Sequence, residues 1–249
     1  MQTLTLHRNL LFRIPGFDLQ RLVPDSLHCL YLGVVQAWAV ASLWFLINED
    51  VWGYNDPALS VDRIRAELFL WYRRQRRPGI TRLQNLTLKM MGTYAAQARQ
   101  PFKGAESKHL VNFVVELLNR HRLPKGAPLL AAGVAMQRFI YLMDTSALHP
   151  PPEVVLEMKR SMVQFLHNAL QGGMRPIAKV HQALHMVFDA LEFHVNPKYY
   201  SNFLDESLNK DLAGIAAKAY SSVWTSRIFI CWKRLRENKP RGILVGVDA

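Results

Sequence analysis

Cysteine is nearly missing from this chain: Cys29 and Cys231 are the only two in 249 residues. They form neither a disulfide framework nor a C-x-x-C metal pair, so a small disulfide-stapled domain is excluded and a reducing compartment fits best. Acidic residues are also few, 19 against 31 Lys and Arg, which leaves a net charge of +12. An imbalance of that size points to a polyanionic partner, nucleic acid or an anionic surface. Internal repeats and low-complexity tracts are lacking, which removes solenoid architectures. Residues 1–17 hold no apolar core ahead of a small-residue cleavage site, so no secretory leader is read there. Half the residues are hydrophobic. That is enough to bury a sizeable core in one large domain or two small ones.

The stretch around which the chain is organised is Pro24-Asp25-Ser26-Leu27-His28-Cys29. Directly after it an apolar run extends from Cys29 to Ile47, interrupted only by Gly33, Gln36 and Ser42. Asp25 follows a proline and can accept hydrogen bonds from the free N–H groups of a first helical turn. At a spacing of three, His28 meets it on one helix face. One reading is an N-cap plus a core histidine; the other is a functional carboxylate–imidazole pair. The run approaches the length of a membrane span. Gln36 inside it, Asp25 and His28 before it and Asn48-Glu49-Asp50 after it favour a buried helix of a globular domain.

Residues 1–24 alternate weakly and suit a short strand or two, broken by Pro15-Gly16. Asn55-Asp56-Pro57 reads as a turn, and Ser60 as the cap of a helix ending in Arg73-Arg74-Gln75-Arg76-Arg77. These four arginines suit a helix C-terminus and also make a phosphate-binding patch, or equally a solvated basic face. Helices are expected over about 81–91, 105–120, 129–143, 153–170 and 176–194, separated by Pro124–Pro128, His149-Pro150-Pro151-Pro152 and Gln171-Gly172-Gly173. His181 and His185, with Asp189 a turn further on, have a spacing that can put two ligands on one zinc. The Glu that follows the first His in zinc proteases is missing. A last helical segment begins near Phe203. It ends basic, with Lys233, Arg234 and Arg236 interleaved with Trp224, Phe229 and Trp232, a combination suited to a nucleic-acid face or to a core.

Three stretches together resemble a family. Asp25-Ser26-Leu27-His28 with Leu32-Gly33-Val34-Val35 resembles the Asp/Cys-x-x-His signature of cut-and-paste DNA transposases of the CACTA and hAT kinds, where it opens a helical insertion in an RNase H-like core. Phe102-Lys103-Gly104-Ala105-Glu106 is similar to a Lys-x-x-Glu helix start inside that insertion. Phe203 to Leu212 is similar to the stretch that supplies the last acid of the catalytic triad. The resemblance implies Glu206 as that acid, with Asp205 beside it as an alternative. Glu106 is either a further acid or simply a partner of its helix dipole. The family's other two aspartates lie upstream of the Asp-x-x-His motif. Here Asp18 is the sole acid before Asp25, so the resemblance implies a degenerate or partial, catalytically incomplete copy.

The expectations are therefore these. The fold is mainly α, a multi-helix bundle-like domain with at most a short β element at the N-terminus. Residues 1–24 are the remnant of an RNase H-like core, 25–195 a helical insertion-like domain and 196–249 a terminal helical segment with a basic tail. The function is that of a transposase-derived DNA-binding protein from a mobile element. If active, it is a Mg²⁺-dependent strand-transfer nuclease; otherwise it needs no cofactor. The nucleic-acid face is Arg73, Arg74, Arg76, Arg77, Lys233, Arg234 and Arg236. The partner is DNA, with self-association compatible, no membrane, and a nuclear or otherwise intracellular location. The alternatives are a helical protein–protein or nucleic-acid interaction domain without catalytic ancestry, and a zinc-dependent hydrolase using His181 and His185.

Overall fold

A computed structural model describes residues 24–75, 80–92 and 102–201, apart from the side chains of 189–191. The described residues are mainly α-helical, with no strand among them. The chain divides into two compact units, Met1–Ser201 and Asn202–Ala249, and all described residues lie in the first. The expected N-terminal β element and the terminal segment fall outside the described residues.

The order is a π-helical segment Leu27–Val34, α1 (Val35–Asn48), α2 (Pro57–Arg74), α3 (Leu88–Met91), α4 (Gly104–His121), α5 (Ala127–Thr145), α6 (Pro152–Gln171) and α7 (Ala178–Glu192), with 3₁₀ turns at Pro124–Gly126 and Pro197–Tyr200. Each long element follows from its sequence. Leu110, Phe113, Val114, Leu117 and Leu118 recur at helical spacing and are all buried on α4. Proline stands at the start of α2, α5 and α6, where its missing N–H costs nothing. Gly172 ends α6, and Gly173 turns the chain with φ of +93°.

Leu27–Asn48 is the central rod. By length and apolar composition it could cross a membrane, yet 83% of its most apolar window is covered by the rest of the protein. Pro124–Thr145 passes the same test and is half buried. The π segment rests on α4 and α7, α1 on α4, and α5 and α6 lie alongside each other. Trp38 is fully buried, donates its indole N–H to the Leu129 carbonyl at 3.0 Å and meets the Phe165 ring edge-on at 6.3 Å. Gln36 also finds a partner inside: its amide donates to the Phe102 carbonyl. A polar group on a buried helix needs such a bond.

Two local expectations are corrected. The second helix starts at Pro57, not at Ser60: Asp56 caps it, accepting from the Ala58 N–H at 2.7 Å, and Pro57 occupies the first helical position. Ser60 lies buried one turn in. The helix expected over about 81–91 shrinks to Leu88–Met91, capped by Thr87. The segment before it stays irregular because it is tied down from outside. The Leu83 N–H donates to the Tyr72 hydroxyl at 3.0 Å, Arg65 donates to the Leu86 carbonyl at 3.2 Å, and Leu83 and Leu86 are buried. Tertiary burial outweighs weak helix propensity here.

Candidate functional site

Asp25 caps the central rod. Its backbone carbonyl accepts the first helical bond, from the Cys29 N–H at 3.0 Å. Its carboxylate accepts from the Leu27 N–H at 3.0 Å and the His28 N–H at 3.2 Å. These are two of the N–H groups that a helix start leaves unsatisfied. The same carboxylate pairs with His28 Nδ1. The Asp25 side chain is 17% exposed and that of His28 49%, so the pair stands at the surface with the carboxylate on its inner side. His28 is therefore not a core histidine.

The turn that follows is wound as a π-helix, a form that concentrates at functional sites and at kinks. Gly33 sits where the winding changes, with φ of −121° and ψ of −108°. A Cβ on it would lie 2.8 Å from Cδ of Lys179 and 2.9 Å from the His28 carbonyl oxygen. Lys179, at the start of α7, donates to the Leu32 carbonyl at 2.7 Å. That carbonyl belongs to the irregularly wound turn, so a cation from a distant helix supports it. Cys29 donates to the Asp25 carbonyl at 3.0 Å and touches the Met186 sulfur at 3.4 Å. Burial, and secondarily the Asp25 charge, push the Cys29 thiol up to about 12. It is a packing residue, not a nucleophile.

Among the described residues no group of three His, Cys, Asp or Glu side chains is close enough to hold a metal. Asp25 spends its oxygens on the helix start and His28. Glu106 accepts from the Lys103 N–H at 2.8 Å and is buried, so the Lys-x-x-Glu start works as half of a capping box. Strand transfer with Mg²⁺ needs three convergent carboxylates, and the described acids do not fit that group. Asp205 and Glu206 lie outside the described residues.

Of the expected nucleic-acid face, Arg73 and Arg74 are described and exposed at the C-terminal end of α2. Arg76, Arg77, Lys233, Arg234 and Arg236 lie outside the described residues. Arg74 reaches across to Glu116 of α4 at 2.8 Å, and Glu116 also accepts from Arg120 at 3.2 Å. Arg120 continues to Glu67 at 2.5 Å, which holds Arg63 at 2.9 Å and accepts from the Trp52 indole at 3.3 Å. The structure adds Arg82, which no sequence motif singles out. The loop pinned on Tyr72 leaves Arg82 exposed, and its charge is felt by the Tyr72 hydroxyl. Lys179 is a further residue that no motif marks. Its only signal in the sequence is its helix, since its partner is 147 residues away.

His181 and His185 are exposed on α7, with their Nε2 atoms 3.0 Å apart and their rings edge to face. Comparison with known proteins adds no relative: no family model, curated protein or solved structure matches this chain.

Proposed function

We propose that the chain is a transposase-derived helical protein that binds duplex DNA through the basic end of α2 and the segment after it. The observation that carries this reading is the distribution of charge. Residues 68–105 contain eight Lys or Arg and not one Asp or Glu. Two-thirds of the net charge of +12 thus sits in about a sixth of the chain. Core packing does not call for such a run, and the exposed Arg73, Arg74 and Arg82 belong to it. Phosphate contacts of this kind give affinity without sequence preference. The transposase origin is supported by the Asp-x-x-His and Lys-x-x-Glu motifs, both of which stand at helix starts. The nucleus or another reducing intracellular compartment goes with this reading.

The test is the salt dependence of binding to a random-sequence duplex. Replacing Arg73, Arg74, Arg76 and Arg77 together by Ala should flatten the slope of log K against log salt by about 0.9 for each phosphate the protein ceases to neutralise. An unchanged slope would assign the cluster to solvation alone. The second reading, a helical interaction domain without catalytic ancestry, draws on Val134 and Tyr141, which stand exposed on α5. It predicts binding to protein partners, or self-association, that the arginine variant leaves intact.

A further inference from the structure

We propose that His181 and His185 form a two-imidazole chelate for a borderline divalent cation of the Cu²⁺, Ni²⁺ or Zn²⁺ class. One turn of α7 sets the two rings on one face, and their Nε2 atoms approach to 3.0 Å. Metal–imidazole bonds of about 2.05 Å spanning that gap meet at roughly 94°. The angle is near the square-planar or tetragonal arrangement of Cu²⁺ and Ni²⁺ and narrower than the tetrahedron of Zn²⁺, so the order of affinity is Cu²⁺ first. Imidazole nitrogen selects against Mg²⁺ and Ca²⁺, which take oxygen ligands. The rings stand edge to face, with centroids 4.3 Å apart. A metal bound between the rings uses both Nε2 lone pairs, with the ring protons on Nδ1.

Three other described side chains of the same chemistry are placed differently. His28 pairs through Nδ1 with Asp25, His149 Nδ1 meets the His194 carbonyl at 3.0 Å, and the Cys29 thiol is buried. The remaining coordination positions fall to water or to donors outside the pair. The site is independent of the basic end of α2, and metal binding can fail or hold without bearing on DNA binding.

The experiment is calorimetric titration of the full chain with CuCl₂, with ZnCl₂ and MgCl₂ as comparisons, together with the electron paramagnetic resonance spectrum of the Cu²⁺ form. The expected result is a single Cu²⁺ bound with two imidazole nitrogens, weaker Zn²⁺ and no Mg²⁺. That binding should be lost in both His181→Gln and His185→Gln, with the circular dichroism spectrum unchanged. Retention of the bound Cu²⁺ in either variant, a spectrum with fewer than two imidazole nitrogens, or no Cu²⁺ uptake by the parent chain would each overturn the proposal.

Discussion

Gly133 of α5 faces Trp38 of α1 across a gap with no room for a methyl group. A Cβ built on the glycine would lie 2.5 Å from Cζ2 of the indole and would press into Val115 as well. Trp38 cannot retreat easily, because its N–H is held by Leu129 on the same helix as the glycine. Gly133→Ala, which would stabilise an exposed helix by roughly 1 kcal/mol, should here destabilise the protein by about 1–3 kcal/mol. Urea unfolding followed by tryptophan fluorescence measures it. A stabilised variant would mean that α1 and α5 do not meet at this point.

Asp25 should behave as a cap. Asp25→Ala removes the acceptor of two backbone N–H groups and should cost about 1 kcal/mol in the same unfolding measurement. Asp25→Asn keeps an acceptor oxygen and should cost less. Equal effects of the two substitutions would mean that the carboxylate charge, not the cap, carries the stabilisation.

Glu116 holds Arg74 and Arg120 in exposed ion pairs. Such pairs contribute little to stability, so Glu116→Gln should leave unfolding nearly unchanged. It also releases Arg74. If that arginine contacts phosphate, affinity for duplex DNA should rise and the salt slope should steepen by up to about 0.9. Weaker binding by the variant would remove Arg74 from the interface.

Glu67 differs from Glu116 because its side chain is only 9% exposed and it joins Arg63, Arg120 and Trp52. Glu67→Gln should cost about 1–2 kcal/mol, more than Glu116→Gln, since it removes charge-assisted bonds at a shielded site. Thermal unfolding of both variants side by side checks the order.

Cys29 gives a pH dependence. Its thiol rises from an ordinary 9.0 to about 12 in the folded chain. Between those values the unfolded chain gives up the proton and the folded chain keeps it. The unfolded state then binds fewer protons, and stability falls as pH rises above 9. In a Cys231→Ser background, a disulfide reagent at about pH 8 should leave Cys29 unmodified until guanidinium unfolds the chain. Rapid labelling of the native protein would contradict the burial.

What the sequence by itself determined is the local part of this protein. A continuous apolar run located α1, and apolar spacing with Pro and Gly breaks located α2 and α4–α7, because each helix closes its own hydrogen bonds within a short stretch of chain. The Asp25–His28 contact was legible for the same reason, since three residues of helix bring the two together whatever surrounds them. Local rules failed where two candidates competed or where a distant group decided. Asp56 and Ser60 are both good caps, and the proline at 57 selects the earlier one. Only the tertiary structure held 80–87 out of a helix, through Tyr72 and Arg65, and set Glu116 against Arg74. It also placed Lys179 on the Leu32 carbonyl. Those partners are 11 to 147 residues apart. Their meeting depends on how whole helices pack, which no periodicity within a single helix encodes.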